Sequence, residues 1–384
     1  MKSIKKYLLL AFVVENVFAQ TPYFSALSFL FYVFLGIGML FLLDGSLFRK
    51  NVVNSCKPLY VLGLVYVAYQ FTLGQETISS STLLYLVAKI ATFSIIAVSV
   101  TSNWEFYAEK APRIFSVLIL LILLFNIATG NLGDDGSGRM MIGFTNTNTT
   151  SSMAAFAFAG FLFFRDKKKR NLYILAMILC FYAVLAGGSR NGFLIFAILF
   201  FMWRGVSWNT IIIASASLII INIVINQINV ELVGLERIFG TISGEVASNR
   251  DTEREAAMVM IGDKPWTGWG FEAQNVGKAA AISELGSHSG YLETLKFMGY
   301  PFGLMWFAVL YICILSLLRF YKSGDMTVRY HLAIVISSLA SAFFEGLFVG
   351  VHELATNMMF ISLAVLTTYK YRQKTIKRKS LRRI

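Results

Sequence analysis

The chain has 384 residues, of which 57% are hydrophobic, 15% aromatic and only 14% charged. So few charges cannot cover so much apolar surface, which excludes an ordinary soluble protein and reads as an integral membrane protein. The formal net charge of +13 raises nucleic acid as a partner, but the placement of the charges along the chain points to membrane orientation instead.

A bilayer core of roughly 30 Å takes about 20 mostly apolar residues per helix, and about twelve stretches meet that criterion. They lie at 7–20, 25–44, 57–74, 82–101, 113–129, 149–165, 171–188, 192–204, 208–228, 300–320, 329–350 and 355–371. The first, within KSIKKYLLLAFVVENVFAQ, has the basic, apolar and small-residue regions of a signal peptide with a cleavage site after Ala19. Glu15 interrupts its apolar run and Val17 replaces the usual Ala, which favours a retained span. Cys56, Cys180 and Cys313 lie far apart without metal-ligand spacing, and an odd number cannot all pair, so they read as packing residues.

Basic residues collect in alternate loops: Lys5 and Lys6, Arg49 and Lys50, Lys110 and Arg113, RDKKKR at 165–170, Arg204, Arg319 and Lys322, and the tail KYRQKTIKRKSLRRI. The positive-inside rule assigns these and both termini to the cytoplasm. The charge then reports orientation and contact with anionic lipid, and a nucleic-acid role loses its support. The opposite loops, 74–79, 131–150, 187–192, a long one over 229–299 and 349–356, are scarce in Lys and Arg and face outward.

On that outer side a few residues stand out. Arg139 and Asn148 fall in NLGDDGSGRMMIGFTNTNTT, whose Gly-rich GDDGSG part lacks strand or helix context and reads as a flexible loop. Arg190, in LAGGSRNGFL, sits in a short turn between spans, where a guanidinium must meet water, a lipid phosphate or a bound anion. It reads as a snorkelling side chain or as an anion ligand. SNRDTEREAAMVMIGDKP predicts an amphipathic helix with a Thr252/Glu255 capping box and a stop before Pro265, preceded by Arg250 and carrying Arg254 one turn on. In isolation a helix carrying Arg, Asp and Glu is usually a solvated face. In SHSGYLETLKFMGYPFG the spacing of His288, Tyr291, Leu292 and Leu295 predicts a helix with these four on its buried stripe and Glu293 and Lys296 elsewhere. The histidine is then a packing residue or a functional one. Gly299, Pro301 and Gly303 mark a bend. His352-Glu353 is half of a zinc HExxH, with Thr356 where the second His belongs. Lys89 and Glu345 are ionisable groups within predicted spans that could reach an interface or pair internally, and two such residues make only a thin case for ion-coupled transport.

Three of these stretches together resemble the superfamily of O-antigen ligases and Wzy-type polysaccharide polymerases, membrane glycosyltransferases of the GT-C type. They are GGSRNGFL, the run NRDTEREAAMVMIGDKPWTGWGF, and His288-Ser289 followed by Gly299 and Gly303. The likeness covers residues 177–310, with Asn148 similar to a family asparagine ahead of a span. Asn191 and Arg254 depart from the pattern, and counting back from Pro265 favours Arg250 over Arg254 as the family arginine. The resemblance implies a single all-α membrane domain over 1–384 with an extracytoplasmic loop at 229–299 carrying short helices.

It further implies transfer of a glycan from undecaprenyl diphosphate to an acceptor hydroxyl on the outer face of the cytoplasmic membrane, without metal or cofactor. The acceptor is another lipid-linked repeat in a polymerase, the preferred reading, or a lipid A core sugar in a ligase. Arg190 and Arg250 would clamp the diphosphate, since guanidinium answers phosphate charge with bidentate donors. His288 would take the acceptor proton, histidine being the usual general base. Arg254, Arg139, Asn148 and Tyr291 would contact substrate. Implied partners are membrane lipids and a chain-length regulator or flippase. A polysaccharide or lipid transporter is the reading from a different class, but the long loop between the ninth and tenth predicted spans breaks the two-half symmetry common in such folds.

Overall fold

A computed structural model describes residues 2–23, 29–134, 136, 138–205, 250–271, 288–350 and 353–381. The helices in chain order are α1 (Lys2–Ala19), α2 (Leu30–Leu43), α3 (Lys50–Ser55), α4 (Lys57–Thr72), α5 (Ser80–Ser102), α6 (Ala111–Ala128), α7 (Thr147–Phe163), α8 (Arg170–Ala186), α9 (Arg190–Arg204), α10 (Arg250–Asp263), α11 (Gly290–Leu318), α12 (Met326–Ser341) and α13 (Leu354–Leu381). Short polar residues start several of them by capping. Ser79 accepts from Thr82 N, Asn146 from Thr149 N, Ser189 from Gly192 N, and Asp325 from Thr327 N and Val328 N. Each satisfies amides that the first helical turn leaves without intrahelical partners.

Among the described residues four helical stretches are long and apolar enough to cross a membrane: Ser80–Ser102, Phe106–Ala128, Lys167–Ala186 and Gly290–Lys322. Large apolar side chains stand exposed along several of them, among them Leu121, Phe125, Leu172, Ile178, Ile312 and Leu315. A surface this apolar suits a surrounding of lipid rather than water. The predicted span at 208–228 and most of the predicted loop at 229–299 lie outside the described residues.

α7 is buried along nearly its whole length and α5 over its second half. α5 is wrapped by α1, α2, α4 and α13, and α7 by α6, α8 and α9, with α12 bridging α9 to α13. The sequence of α7, TNTTSSMAAFAFAGFLF, explains its position, because small residues let neighbouring backbones come close where lipid offers no hydrophobic drive to associate. A Cβ on Gly160 would overlap Ser116 of α6, and one on Gly192 of α9 would overlap Ser151.

Three segments differ from the sequence expectation. GDDGSG is not a free loop: β1 (Leu132–Asp134) pairs antiparallel with β2 (Met140–Ile142), Asp134 opposite Met140. Asp134 Oδ1 accepts from Gly136 N at 3.0 Å and Gly138 N at 3.1 Å, which closes the turn. The predicted span 329–350 stops at Ser341, and residues 342–350 form irregular turns that press into the bundle. Phe348 at their tip is wholly buried with φ 82°, and its carbonyl, with that of Gly350, accepts 2.8 Å bonds from Lys89 Nζ of α5. Irregular backbone is tolerated at such depth only where protein groups satisfy it, and Lys89 does so. The span predicted at 300–320 is one arm of a longer, kinked α11, bent at Gly299 (φ 65°, ψ 179°) ahead of Pro301.

Candidate functional site

The kink in α11 and the start of the polar run after α10 are built as one piece. Tyr300 N donates to Pro265 O at 2.7 Å, Trp269 N to Lys296 O at 2.9 Å, and Gly270 N to Phe297 O at 3.0 Å. The Tyr69 hydroxyl of α4 lies 2.9 Å from Thr267 O and 2.6 Å from Phe297 O. A Cβ on Gly268 would stand 2.3 Å from Phe297 O, and one on Gly299 2.7 Å from Trp266 O; both residues have positive φ. The Gly-x-Gly segment and Gly299, distant in sequence, are therefore two sides of one backbone clasp, which only glycine permits at this separation.

His288 stands immediately before this unit and not on the buried stripe of a helix. The helix begins at Gly290 with Ser289 as its cap, accepting from Leu292 N, while His288 adopts φ 42° and its side chain is 44% exposed. The stripe failed because the residues after the histidine cap a helix, so the helical phase does not extend back to it. Gly290 N donates at 2.8 Å to both Ala342 O and Glu345 O. This bond ties His288 to the turns after α12, and Glu345 belongs to those turns and not to a span.

The imidazole lies between two carboxylates: Nε2 is 3.7 Å from Glu253 Oε2 of α10, and Nδ1 is 4.0 Å from Glu345 Oε2. Glu253 Oε2 is buried and has no hydrogen-bond partner among the described residues. Because the carboxylates face different ring nitrogens, they flank the ring as proton-accepting or orienting groups and do not converge on one point as ligands of a single ion. No metal-ligating cluster occurs among the described residues.

α10 begins at Arg250, two residues before the predicted capping Thr252. Arg254 Nη2 donates to Phe343 O at 3.0 Å and its guanidinium lies over the Phe344 ring, so it fastens α10 to the turns that carry Glu345. Arg250 is one turn earlier on the same helix face; its side chain lies outside what is described. Tyr291 has its ring packed on Phe307, Phe343 and Phe348 and its hydroxyl 2.6 Å from that of Tyr311, a set of contacts that wedges α11 against the same turns. Lys296, expected away from the buried stripe, is buried and paired with Glu293 at 2.8 Å. His352 lies outside the described residues. His331 is a packing residue, its ring nitrogens 3.0 Å from Ser362 Oγ and Ala108 O.

Arg190 is the first residue of α9. Gly187 and Gly192 let the turn close on Ser151 of α7, and Ser151 Oγ donates to Val184 O at 3.1 Å. That packing sets the N-termini of α7 and α9 side by side. On α7, Asn148 Oδ1 accepts from Arg139 Nη1 at 3.4 Å, so two of the residues singled out in the sequence meet. α9 runs antiparallel to α12, since Tyr321 just ahead of α12 donates to Met202 near the end of α9. Arg190 therefore shares the end of the bundle that holds Ser341 and, through Ala342, His288. The Arg190 side chain has no hydrogen bond or ion pair with a described residue, and a helix N-terminus adds partial positive charge beside it.

Glu253 and the inward turns are not legible as site components in the sequence, where Glu353 stands only as half of a zinc motif. The Glu253 signal was its position one turn after Arg250, between it and Arg254 on a single face, which a reading of the helix as a solvated surface discards. Glu353 accepts from Thr356 Oγ1 at 2.6 Å. Burial, opposed by that bond and by the nearby Lys89 charge, pushes its carboxyl up to about 7. The chain matches no protein-family model, no curated protein and no solved structure.

Proposed function

We propose that this chain is a membrane glycosyltransferase of the polymerase and ligase kind, joining lipid-linked repeat units on the outer face of the cytoplasmic membrane. One observation supports the reading: an exposed imidazole between two carboxylates at the end of the bundle where Arg190 opens α9, its side chain without a partner among the described residues. In the reaction the acceptor hydroxyl loses its proton to a His288 ring nitrogen as its oxygen bonds to the anomeric carbon. The bond from that carbon to the diphosphate breaks, and the departing electron pair stays on the undecaprenyl diphosphate. Charge grows on the leaving diphosphate, which Arg190 and Arg250 answer with permanently charged donors. The carboxylate beside the other ring nitrogen orients the imidazole and stabilises its protonated form, as in other base-and-orienter pairs.

The test is transfer by purified protein in vesicles supplied with an undecaprenyl diphosphate-linked oligosaccharide. His288→Gln inserts and binds donor normally but loses transfer by about 10²–10⁴-fold, the range for general acid–base catalysis. Arg190→Lys keeps the charge and loses the bidentate geometry, so donor binding falls together with transfer. Near-normal transfer by well-expressed His288→Gln would return the histidine to a structural role. Movement of donor across the vesicle with no new glycosidic bond would make the chain a transporter.

A further inference from the structure

At the end of α4 away from the Tyr69 clasp, α3, α4, α11 and α13 part around a groove of about 880 Å³. Lys50, Lys57, Lys370 and Lys374 line it, and none of its described lining residues is acidic. Lys370 Nζ donates to Ser316 Oγ at 2.8 Å, which fixes one ammonium on the α11 side. The rest of the wall includes Val61, Val309 and Ile312. Ile312 is 67% exposed, and Leu315 on the same helix 65%, so the apolar wall continues onto the outer surface of the bundle.

The groove thus joins two unlike surfaces. Four ammonium groups around one cavity repel one another, and an anion among them relieves that repulsion. A soluble phosphate would satisfy the lysines and leave the apolar wall wet. A molecule with a phosphate head and long hydrocarbon chains satisfies both, and lysine-lined pockets between helices at the basic end of a membrane protein are suited to such head groups. We propose that this groove is a binding site for an anionic phospholipid, its phosphate among Lys57, Lys370 and Lys374 and its acyl chains along Val61, Val309 and Ile312. Lys57 and Tyr69 are separated by roughly 18 Å along α4 at 1.5 Å per residue. The site is therefore distinct from the one around His288, and the inference does not rest on glycosyl transfer.

The experiment uses the full chain in phosphatidylcholine vesicles carrying a minor fraction of spin-labelled phosphatidylglycerol or, in parallel, spin-labelled phosphatidylcholine. The motionally restricted fraction of each label is read by electron paramagnetic resonance. Wild-type protein restricts the phosphatidylglycerol label preferentially. Lys57→Gln/Lys374→Gln, both at exposed positions, reduces that preference about fivefold or more, whereas Lys57→Arg/Lys374→Arg keeps it. Lys167→Gln/Lys169→Gln, which removes the same charge from the loop before α8, leaves it unchanged. The proposal is overturned if the Lys57/Lys374 glutamine pair retains the preference or if the Lys167/Lys169 pair loses as much. Displacement of the lipid label by inorganic phosphate at equal concentration also overturns it, since the groove would then recognise a soluble anion.

Discussion

His288 has a backbone conformation uncommon for a residue with a side chain, φ 42°, and its neighbours account for it. The amide of Gly290 is held by two carbonyls, and a Cβ at that glycine would stand 2.1 Å from Leu347 O. The chain must therefore turn sharply just before the helix, which presents the imidazole outward between Glu253 and Glu345 instead of burying it. If Glu253 stabilises the ring when it takes a proton, Glu253→Gln lowers kcat by about tenfold, the factor that corresponds to roughly 1.4 kcal/mol, and leaves donor KM unchanged. Glu255→Gln, on the same helix and exposed, has no effect. A change in KM with kcat preserved would assign Glu253 to donor binding.

Among the elements, the clasp between 265–270 and the α11 kink and the inward turns of 342–350 do most to shape the site. Gly299 and Gly324 both have positive φ, but only Gly299 is crowded, its Cβ position 2.7 Å from Trp266 O, while nothing lies within 4 Å of that of Gly324. Gly299→Ala therefore lowers the thermal midpoint more than Gly324→Ala, whose cost is confined to backbone strain of about 1 kcal/mol. Equal losses would mean that the clasp opens freely to admit a side chain. Glu353 makes the stability of the inward turns depend on pH. Its folded value of about 7 lies above the ordinary 4.5, so between these values the folded protein holds a proton that the unfolded chain has released. That contribution is present below pH 4.5 and is lost as pH rises through 7. Wild-type protein thus loses more thermal stability between pH 5 and pH 8 than Glu353→Gln does; equal losses would show that this carboxyl does not titrate in that window.

At the scale of the whole molecule the two ends of the bundle differ in chemistry. Near one end Arg113 lies over Phe164, Arg372 over Trp104 and beside Glu105, and Lys370 against Ser316. The other holds the hairpin, the clasp and His288. If the basic end faces the cytoplasm, a membrane-impermeant thiol reagent applied from outside labels single cysteines placed at 131 and 255 and spares those at 168 and 373. The native Cys56, Cys180 and Cys313 are buried and leave a quiet background. External labelling at 168 would reverse the orientation and move the proposed transfer to the other side.

Apolar runs made most of the helices legible without a structure. A stretch such as 82–101 has too few polar groups to remain in water, whereas the cap expected at Thr252 lies inside its helix. The three motif stretches could be picked out only by their joint resemblance to a known family, since each alone also has an ordinary reading as a snorkelling, solvated or packing residue. Tertiary structure alone decided what these residues meet. Glycines at 268 and 299 are needed for a contact between segments about thirty residues apart, which no local period records. The apolar run through 342–350 looks like the continuation of a helix, yet Lys89, far away in the chain, supplies the donors that let it turn inward. His288 shows the same division: its type and neighbourhood pointed to chemistry, but the carboxylates that flank it come from α10 and from the turns after α12, and only the folding of those elements against Ser289 and Gly290 brings them to the ring.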